Sequence, residues 1–417
     1  MSEYTRLEYY VATLMGKLPK VKSVLKRAYQ RCNYIIHSKN YKYKSSFIIE
    51  QISKSDDENF FGYYDKCPEN TKGIILYNEL KICKDNANKK KLNVVIQSGE
   101  EIIYKTPSHA WNYQQGCRAH WLSDDKFVYN DFCFEKMRLI AKVVNISEGF
   151  STITYDYPVQ DSYNDTFYVS LNYHKLTELT PEYGYQDCYM HPETKLNAYD
   201  IDGIHICSYL THKLIGFVSL AEIIELGSDE CQSHNASHLV NHVMISPNGQ
   251  KCIFIHRFFL NGRRYDRLIL LDIYSMQLSI LADNEMVSHC CWADDSTVIG
   301  FLRGNNGENR YWTINLETKE QASLEIEDKL SFSDGHPSVT KEWMITDTYP
   351  NKARYQKLIL LNRITNDATV LGEFLSNLKF SGGLRCDLHP RFSTTGNNIF
   401  FDSTFSGKRK LYRLNFG

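Results

Sequence analysis

From about Phe47 to the end of the sequence, apolar residues occur in short runs separated by turns rich in Asp, Asn, Gly and Ser. Runs of four to eight residues bounded by such turns are typical of β-strands. The clearest unit starts at His242, continues through a Ser-Pro-Asn-Gly turn, and contains Lys251–His256, Arg267–Asp272 and Leu278–Leu281. This pattern predicts four consecutive antiparallel strands joined by short turns.

The same unit recurs along the second half of the chain, and weaker copies begin near residues 62, 119 and 167. Seven such units predict an all-β fold, a seven-bladed β-propeller over residues 47–417. The last unit is one strand short, and Ser46–Ser53 is free to complete it and close the ring. Because the interval 160–230 is the least regular, six or eight blades are the alternatives. Four of the units start at a histidine, with spacings of 47, 47 and 53 residues: His242, His289, His336 and His389.

Residues 1–46 differ from the rest because they carry ten Lys or Arg against two acids, Glu3 and Glu8. Apolar residues recur at 3–4 spacing between Pro19 and His37, which predicts an amphipathic helix with a basic face. We therefore expect a basic helical extension, 1–46, before the propeller. The segment 17–45 could contact an anionic membrane surface, and a solvated helix packed on the main domain is the alternative.

Composition limits the classes of partner and the cellular setting. The net charge is −1, and the basic residues concentrate in the short leader, which argues against nucleic acid. Residues 1–16 fit neither a secretory signal nor a membrane span. Twelve scattered cysteines without a CxxC pair predict reduced thiols and a cytoplasmic protein, with the inner membrane surface as a candidate peripheral location.

The histidines supply the first candidate chemistry. If each blade places its first strand along the channel, His242, His289, His336 and His389 converge near one mouth and could hold a divalent metal such as Mn, Ca or Zn, or act as acid and base. Whether His289 joins the other three is open, because its neighbours Cys290, Cys291 and Trp292 are more typical of a core. Histidines that only cap strand starts are the structural alternative.

Arginine residues near the strand starts suggest that the ligand is anionic. Arginine pairs with carboxylates through two parallel hydrogen bonds, which suits an acidic sugar. Two aromatic segments, 108–121 and 168–185, add rings, amides and imidazoles that a sugar cleft would use, and core packing is the competing interpretation. The candidate substrate-binding residues are Trp111, Gln115, Arg118, Asn172, Asp387 and Arg391.

The motifs NHVMISPNGQKCIFIHR (241–257), MVSHCCW (286–292), SDGHPS (333–338), DTYP (347–350) and LRCDLHPRFS (384–393) resemble the propeller of oligogalacturonate lyases and their relatives, including ulvan lyases. The resemblance covers about residues 47–417. It implies cleavage of uronate-containing glycans by β-elimination, in which a base removes the proton next to the carboxylate. It places the metal on His242, His336 and His389, and Arg257 and Arg385 toward the carboxylate.

The ulvan-lyase type of acid–base pair would be His109 or His120 with Tyr173. We therefore expect a polysaccharide lyase that acts on an acidic oligo- or polysaccharide. The alternative is a non-catalytic glycan-binding or scaffolding propeller that works in capsule polysaccharide assembly at the inner membrane surface. A hydrolase or a glycan-modifying transferase is a third possibility, since a fold does not determine chemistry.

Overall fold

A computed structural model of the chain describes residues 19–83, 86–185, 188, 199–324 and 334–416. The start of the basic extension, residues 1–18, lies outside the described residues. The described part begins with helix α1 (Pro19–His37) and two short strands, β1 (Tyr43–Ser45) and β2 (Ile49–Gln51). Among the described residues, none of the helices combines the length and the apolar character needed to cross a bilayer.

Seven antiparallel sheets follow one another along the chain, and each is one blade of a propeller. The seven-bladed prediction is therefore confirmed. Their strands are, in blade 1, β3 (Glu58–Phe60), β4 (Ile74–Cys83), β5 (Asn86–Ser98) and β6 (Glu101–Ser108); in blade 2, β7 (His120–Trp121), β8 (Lys126–Cys133), β9 (Arg138–Asn145) and β10 (Ser151–Tyr155); in blade 3, β11 (Asp161–Tyr163), β12 (Phe167–Ser170), β13 (Gly203–Ser208) and β14 (Leu214–Ser219); in blade 4, β15 (Ser237–Ile245), β16 (Lys251–Leu260), β17 (Arg263–Asp272) and β18 (Leu278–Ala282); in blade 5, β19 (Val287–Trp292), β20 (Thr297–Arg303), β21 (Asn309–Asn315) and β22 (Gln321–Ser323); in blade 6, β23 (Ser338–Val339), β24 (Trp343–Asp347), β25 (Tyr355–Asn362) and β26 (Ala368–Leu375); and in blade 7, β27 (Arg391–Phe392), β28 (Asn398–Ser403) and β29 (Lys410–Asn415).

The two N-terminal strands attach to the last two blades. Strand β2 pairs antiparallel with β29, so that Ile49 lies opposite Leu414, and it is the fourth strand of blade 7. Strand β1 pairs with β26 as a fifth strand of blade 6. The segment Ser46–Ser53 therefore supplies a strand that the last blade lacks, and β1 is an addition that the repeat pattern did not predict.

The interval that looked least regular in sequence contains two short helices. Helix α2 (Tyr173–Leu179) follows β12, and the side chain of Asn172 caps it by accepting hydrogen bonds from two backbone N–H groups. Helix α3 (Leu220–Glu225) follows β14 and starts with a capping box between Ser219 and Glu222. Both helices belong to blade 3, whose strands are otherwise arranged as in the other blades.

The core lies between blades. The middle strands are buried along most of their length, as in β8 and β16. Burial on both faces explains why these strands appear as continuous apolar runs in the sequence. Between blades 3 and 4, for example, Val169 and Ile204 pack with Phe254 and Ile269. The blade interfaces therefore hold each innermost strand, and its first residues, in a defined position around the axis.

Candidate functional site

Five aromatic side chains from five blades form a closed circuit around the axis, at the end of the channel that we call the mouth end. Adjacent ring centroids are 6.0, 4.1 and 4.2 Å apart along His242, His289, His336 and His389. Tyr63 of blade 1 closes the circuit, with centroids 5.2 Å from His389 and 5.1 Å from His242. The structure thus brings the four histidines of the repeat together and adds a tyrosine to them.

Three ligand atoms converge on one side of this circuit. His336 Nε2, His389 Nε2 and Asp387 Oδ1 are buried and have no hydrogen-bond partner among the described residues. The three side chains form one group whose ligand atoms all lie within 4.8 Å of one another. Two imidazoles and a carboxylate are a ligand set that divalent transition metals accept. We call this group the His336–Asp387–His389 group, and the residues present fit a divalent metal.

Neighbouring groups orient these ligands. The Nδ1 of His336 lies 2.8 Å from Oδ1 of Asp347, and the other carboxylate oxygen of Asp347 accepts from the backbone N–H of His389 at 3.2 Å. A carboxylate that accepts a hydrogen bond from Nδ1–H fixes the tautomer of the imidazole, so that the lone pair is on Nε2 and is available to a ligand. Gly335 makes the approach possible, because a Cβ there would overlap the carbonyl oxygen of Asp347. Burial raises the pKa of Asp347 to about 7, and backbone donors oppose that shift.

The other two histidines of the quartet have different partners. His242 Nδ1 lies 2.5 Å from the hydroxyl of Tyr63, and the two rings are stacked. His289 Nδ1 lies 3.1 Å from Asp334. Burial lowers the pKa of His242 well below its usual value and raises that of Tyr63 well above, so that both are neutral at pH 7. Hence His242 belongs to a hydrogen-bonded pair with Tyr63, and it is not part of the His336–Asp387–His389 group.

The turn that carries Tyr63 is held rigidly. Asp402 accepts hydrogen bonds from the backbone N–H groups of Phe61 and Gly62 at 3.0 and 3.1 Å. Arg391, predicted to bind substrate, is fully buried and donates to the carbonyl oxygens of Tyr63 and His389 as well as to Asp402. The guanidinium therefore joins the Tyr63 turn to the His389 segment through Nη1 and Nη2, while its buried Nε has no hydrogen-bond partner among the described residues.

Backbone geometry also distinguishes these positions. His242 and His389 have φ values of 53° and 44°, in the left-handed region that non-glycine residues rarely adopt. Strained backbone of this kind persists only where the surrounding structure enforces it, and it is concentrated at functional sites. In β15 the pairing register shifts between Asn241 and Met244, and this bulge contains His242.

Two arginines predicted to face the substrate lie beside the circuit. Arg385 Nε donates to Asp387 Oδ2 at 2.6 Å, and its guanidinium stacks over Tyr349 at 5.3 Å. Arg257 is buried and donates to Asp266 at 2.5 Å. Both guanidinium charges lower the pKa of Tyr183, opposing the larger rise that burial causes. The ring of Tyr183 contacts His242 edge-on at 4.8 Å.

The segment 111–118 adds further polar groups. Gln115 is buried, and neither its amide oxygen nor its amide nitrogen has a hydrogen-bond partner in the described part of the chain. Arg118 donates two hydrogen bonds to Asp65 and another to the carbonyl oxygen of Gln160, so that it links the segments that carry these two residues. Trp111 is partly buried and packs edge-on against Tyr113.

The predicted His/Tyr pair has structural partners instead. Both nitrogens of His120 are engaged, with the carbonyl oxygen of Arg118 at 2.7 Å and the hydroxyl of Ser162 at 2.9 Å. Tyr173 donates toward Val159 and Gln160, and His109 pairs with Asp131 at 3.2 Å. Asn172, predicted to bind substrate, caps helix α2. These contacts do not join His109, His120 and Tyr173 into one acid–base unit.

A second cluster with metal-ligand chemistry lies in blade 4 and contains Cys231, His238 and His256. Arg267 donates to Cys231 Sγ at 3.4 Å and lies 3.3 Å from His256 Nδ1, while His256 Nε2 lies 3.1 Å from His238 Nδ1. A guanidinium that donates to His256 Nδ1 requires the proton on Nε2, where a metal would have to bind. We therefore interpret this cluster as a hydrogen-bonded relay.

Tyr63 and Tyr64 were not among the candidate site residues taken from the sequence. Tyr64 donates to the carbonyl oxygen of Cys290 at 2.8 Å, and its ring contacts His336 at 5.4 Å. A sequence signal existed, because Gly62-Tyr-Tyr-Asp65 stands at the start of a repeat unit. That unit lacks the histidine that marks the other starts, so its tyrosines did not stand out.

No protein-family model matches the sequence, and no curated protein matches it at a significant level. Solved structures match over most of the chain. An oligogalacturonate lyase from Vibrio parahaemolyticus is 12% identical, with 90% of this chain and 96% of that chain covered and a TM-score of 0.57. The β-propeller domain of the Trilobed protease from Pyrococcus furiosus is 9% identical, with 90% and 95% covered and a TM-score of 0.50.

An oligogalacturonate lyase in complex with manganese is 11% identical, with 90% of this chain and 94% of that chain covered and a TM-score of 0.41. The match to the Vibrio parahaemolyticus enzyme confirms, at the level of the fold, the resemblance to the oligogalacturonate lyase propeller. At such identities these similarities concern the fold alone.

Proposed function

We propose that this protein is a polysaccharide lyase that cleaves uronate-containing glycans at the mouth end of its channel. The observation that carries the proposal is the His336–Asp387–His389 group, whose ligand atoms lie within 4.8 Å of one another and in which His336 Nε2, His389 Nε2 and Asp387 Oδ1 are buried without a hydrogen-bond partner in the described structure. Burying unpaired polar atoms costs free energy, and the cost recurs here three times within one small volume. A bound cation that also meets the substrate carboxylate would satisfy all three atoms.

In this proposal, Tyr63 and His242 form an acid–base pair that supplies the proton transfers of β-elimination. With its proton on Nδ1, His242 donates to the Tyr63 oxygen and keeps the Nε2 lone pair for the proton on the carbon next to the carboxylate. The electrons of that C–H bond form the carbon–carbon double bond as the glycosidic C–O bond breaks. The Tyr63 hydroxyl then protonates the departing oxygen, which balances the reaction without a redox partner.

Charge around the pair favours an acidic substrate. Arg385 is partly exposed, and Asp387 engages its Nε, so that the remaining guanidinium donors are available to a carboxylate. A divalent metal on the His336–Asp387–His389 group would neutralise the same carboxylate and make the neighbouring proton more acidic. The hydroxyl of Tyr349, under the Arg385 guanidinium, offers a further polar contact to a sugar.

The direct test is a panel of uronate-containing oligosaccharides, read by the ultraviolet absorbance of the unsaturated product, with and without added Mn²⁺, Ca²⁺ or Zn²⁺. We expect product with at least one glycan, and a loss of 10² to 10⁴ in rate for His242→Ala. His256→Ala is the control, because His256 belongs to the relay in blade 4. Absence of product with every glycan and every metal would contradict the proposal.

Binding measurements on the same panel separate the lyase from its alternative. A protein that binds an oligouronate tightly but forms no unsaturated product would be a non-catalytic glycan-binding propeller, the role expected in capsule polysaccharide assembly. Weakened binding in Arg385→Ala would then still identify the mouth end as the glycan site. A cytoplasmic location, peripheral to the inner membrane, is part of the proposal and is tested by fractionating cells that produce the protein.

A further inference from the structure

Helix α1 presents apolar side chains to solvent. Among its described side chains, Ala28, Tyr29, Cys32, Ile35 and Ile36 are all exposed, and Ile35 and Ile36 each expose 73% of their surface. These residues are spaced three or four apart, so that they lie on one face of the helix. Exposed apolar residues arranged as a stripe, unlike scattered ones, indicate a surface that is covered in use.

The same helix is strongly basic. It contains Lys20, Lys22, Lys26, Arg27 and Arg31 and no Asp or Glu. The residues that follow add Lys39, Lys42 and Lys44. A helix with an apolar stripe on one face and basic residues elsewhere suits the surface of a bilayer that contains acidic lipids. The apolar stripe can contact the acyl chains while the basic residues contact the anionic headgroups.

The helix is attached at the mouth end of blade 6. Asp347, which contacts His336, ends β24 at that end, and Tyr355 begins β25 there. Tyr355 contacts Tyr41 through its hydroxyl and its ring, and Leu375, opposite Tyr355, donates to the carbonyl oxygen of Lys42. Lys39, three residues after Ile36, pairs with Glu373 at 2.8 Å. Three residues of chain span at most about 11 Å, so Ile36 lies within that distance of Lys39, which is paired with the outer part of blade 6.

We propose that α1 binds the surface of an anionic membrane and holds the propeller there with its mouth end toward the bilayer. Ile35 and Ile36 would enter the boundary between headgroups and acyl chains, and the lysines and arginines would lie among the acidic headgroups. This inference does not depend on the lyase proposal, since it concerns where the mouth end faces and not what the mouth catalyses.

An acidic glycan is the other anionic partner that a basic helix could bind. The exposed isoleucines favour the membrane, because a polysaccharide gives them no apolar surface to enter. Apolar burial contributes in proportion to the area removed from water, so that these two side chains should strengthen binding to a membrane but not to a glycan. The two partners therefore predict different responses to the same substitutions.

The test is flotation of the full chain with vesicles of phosphatidylcholine alone, or with about one third phosphatidylglycerol, at physiological salt. We expect binding to the anionic vesicles only. The double variant Ile35→Glu/Ile36→Glu should bind at least about tenfold more weakly, and Lys20→Gln/Lys22→Gln/Lys26→Gln about 100-fold more weakly. The matched control is Ile364→Glu, in the β25–β26 turn at the opposite end of blade 6, where Ile364 is 72% exposed.

Several results would overturn the proposal: no flotation of the unaltered chain, equal binding to both vesicle types, or unchanged flotation of the Ile35/Ile36 variant. Loss of acidic-glycan binding in the lysine variant, with flotation of the isoleucine variant unchanged, would assign the helix to the glycan. Lyase activity on soluble substrate should be the same in the isoleucine variant and the unaltered chain, which separates this test from that of the lyase proposal.

Orientation is measured with a fluorophore on an introduced cysteine, in a chain whose exposed Cys32 is replaced by serine. Lys379→Cys carries the probe on the exposed loop between Leu375 and Arg385 at the mouth end, and Ile364→Cys carries it at the opposite end. A quencher on the lipid headgroup should reduce the fluorescence of the first more than that of the second. Equal quenching, or stronger quenching at residue 364, would overturn the stated orientation.

Discussion

Burial sets the protonation state of each imidazole at the candidate site. It lowers the pKa of His242, His336 and His389 well below the usual value for histidine, so that all three are neutral at pH 7. A neutral imidazole retains one lone pair, and the partner of its other nitrogen decides where that lone pair points. Asp347 directs that of His336 toward the ligand group, and Tyr63 engages Nδ1 of His242.

Two adjacent tyrosines, Tyr63 and Tyr64, give a matched test of the role of the hydroxyl that contacts His242. Tyr63→Phe keeps the ring but removes the hydroxyl 2.5 Å from His242 Nδ1, so we expect the lyase rate to fall by 10² to 10⁴ and the lost hydrogen bond to cost about 1 kcal/mol of stability. Tyr64→Phe removes a hydrogen bond to the carbonyl oxygen of Cys290 and should cost about 1 kcal/mol of stability while keeping the rate. Product absorbance and thermal unfolding check both, and equal rates in the two variants would exclude Tyr63 as the acid.

The sequence identified the histidines of the site better than their partners. Periodicity alone could place His336 and His389 at equivalent positions of adjacent blades, because the repeat determines where each innermost strand starts. The contact between His336 and Asp347 depends on how one β-hairpin folds back, and Tyr63 reaches His242 across 179 positions of sequence. Such pairings depend on closure of the whole ring, which no local pattern contains.

Among the elements, strand β2 is the one on which closure depends. It was predicted as part of Ser46–Ser53 because blade 7 was one strand short, whereas β1 and the helices α2 and α3 had no corresponding gap in the pattern. The helices were missed because Tyr-rich and short apolar runs in 167–225 satisfy strand and helix patterns equally well. Their caps, Asn172 and Ser219, were the available signals.

Two truncations test the closing strand. A chain starting at residue 43 keeps β1 and β2, and we expect it to unfold at the same temperature as the full chain. A chain starting at residue 54 loses both β1 and β2 and leaves the edge of β29 unpaired, which should lower the unfolding temperature and promote association between molecules. Thermal unfolding and light scattering measure both effects. Equal stability of the two chains would show that β2 does not hold the ring closed.

At the scale of the whole molecule, buried neutral histidines should make stability depend on pH. Burial lowers the pKa of His238 to about 4, and it also lowers that of His120 and His256. Below about pH 6.5 the unfolded chain binds protons that the folded chain does not, so that stability is present above that pH and is lost toward pH 4. The unfolding temperature should fall over this window, and less steeply in His238→Gln. If the unfolding temperature depends on pH equally in both proteins, His238 is not a buried histidine that stays neutral in the folded chain.

Metal binding should also act on the whole ring, because the proposed ligands come from two blades. His336 precedes the first strand of blade 6, and Asp387 and His389 precede that of blade 7, so that a bound cation would link the two blades to which the N-terminal strands attach. A ligand that binds only the folded state stabilises it by about 2.7 kcal/mol at a hundredfold excess over Kd. We expect Mn²⁺ or Zn²⁺ to raise the unfolding temperature of the unaltered chain and a chelator to reverse the rise.

The variants His336→Ala and His389→Ala should lose this stabilisation and the bound metal, as measured by elemental analysis. His238→Ala and His256→Ala should keep both, because Arg267 donates to the second cluster and holds its histidines in a relay. Both pairs of variants remove buried imidazoles, so a general loss of packing would affect the two pairs alike. Only metal binding by the removed side chains would make the two pairs differ. If all four variants respond to metal as the unaltered chain does, the three unpaired atoms at the mouth end do not bind a cation.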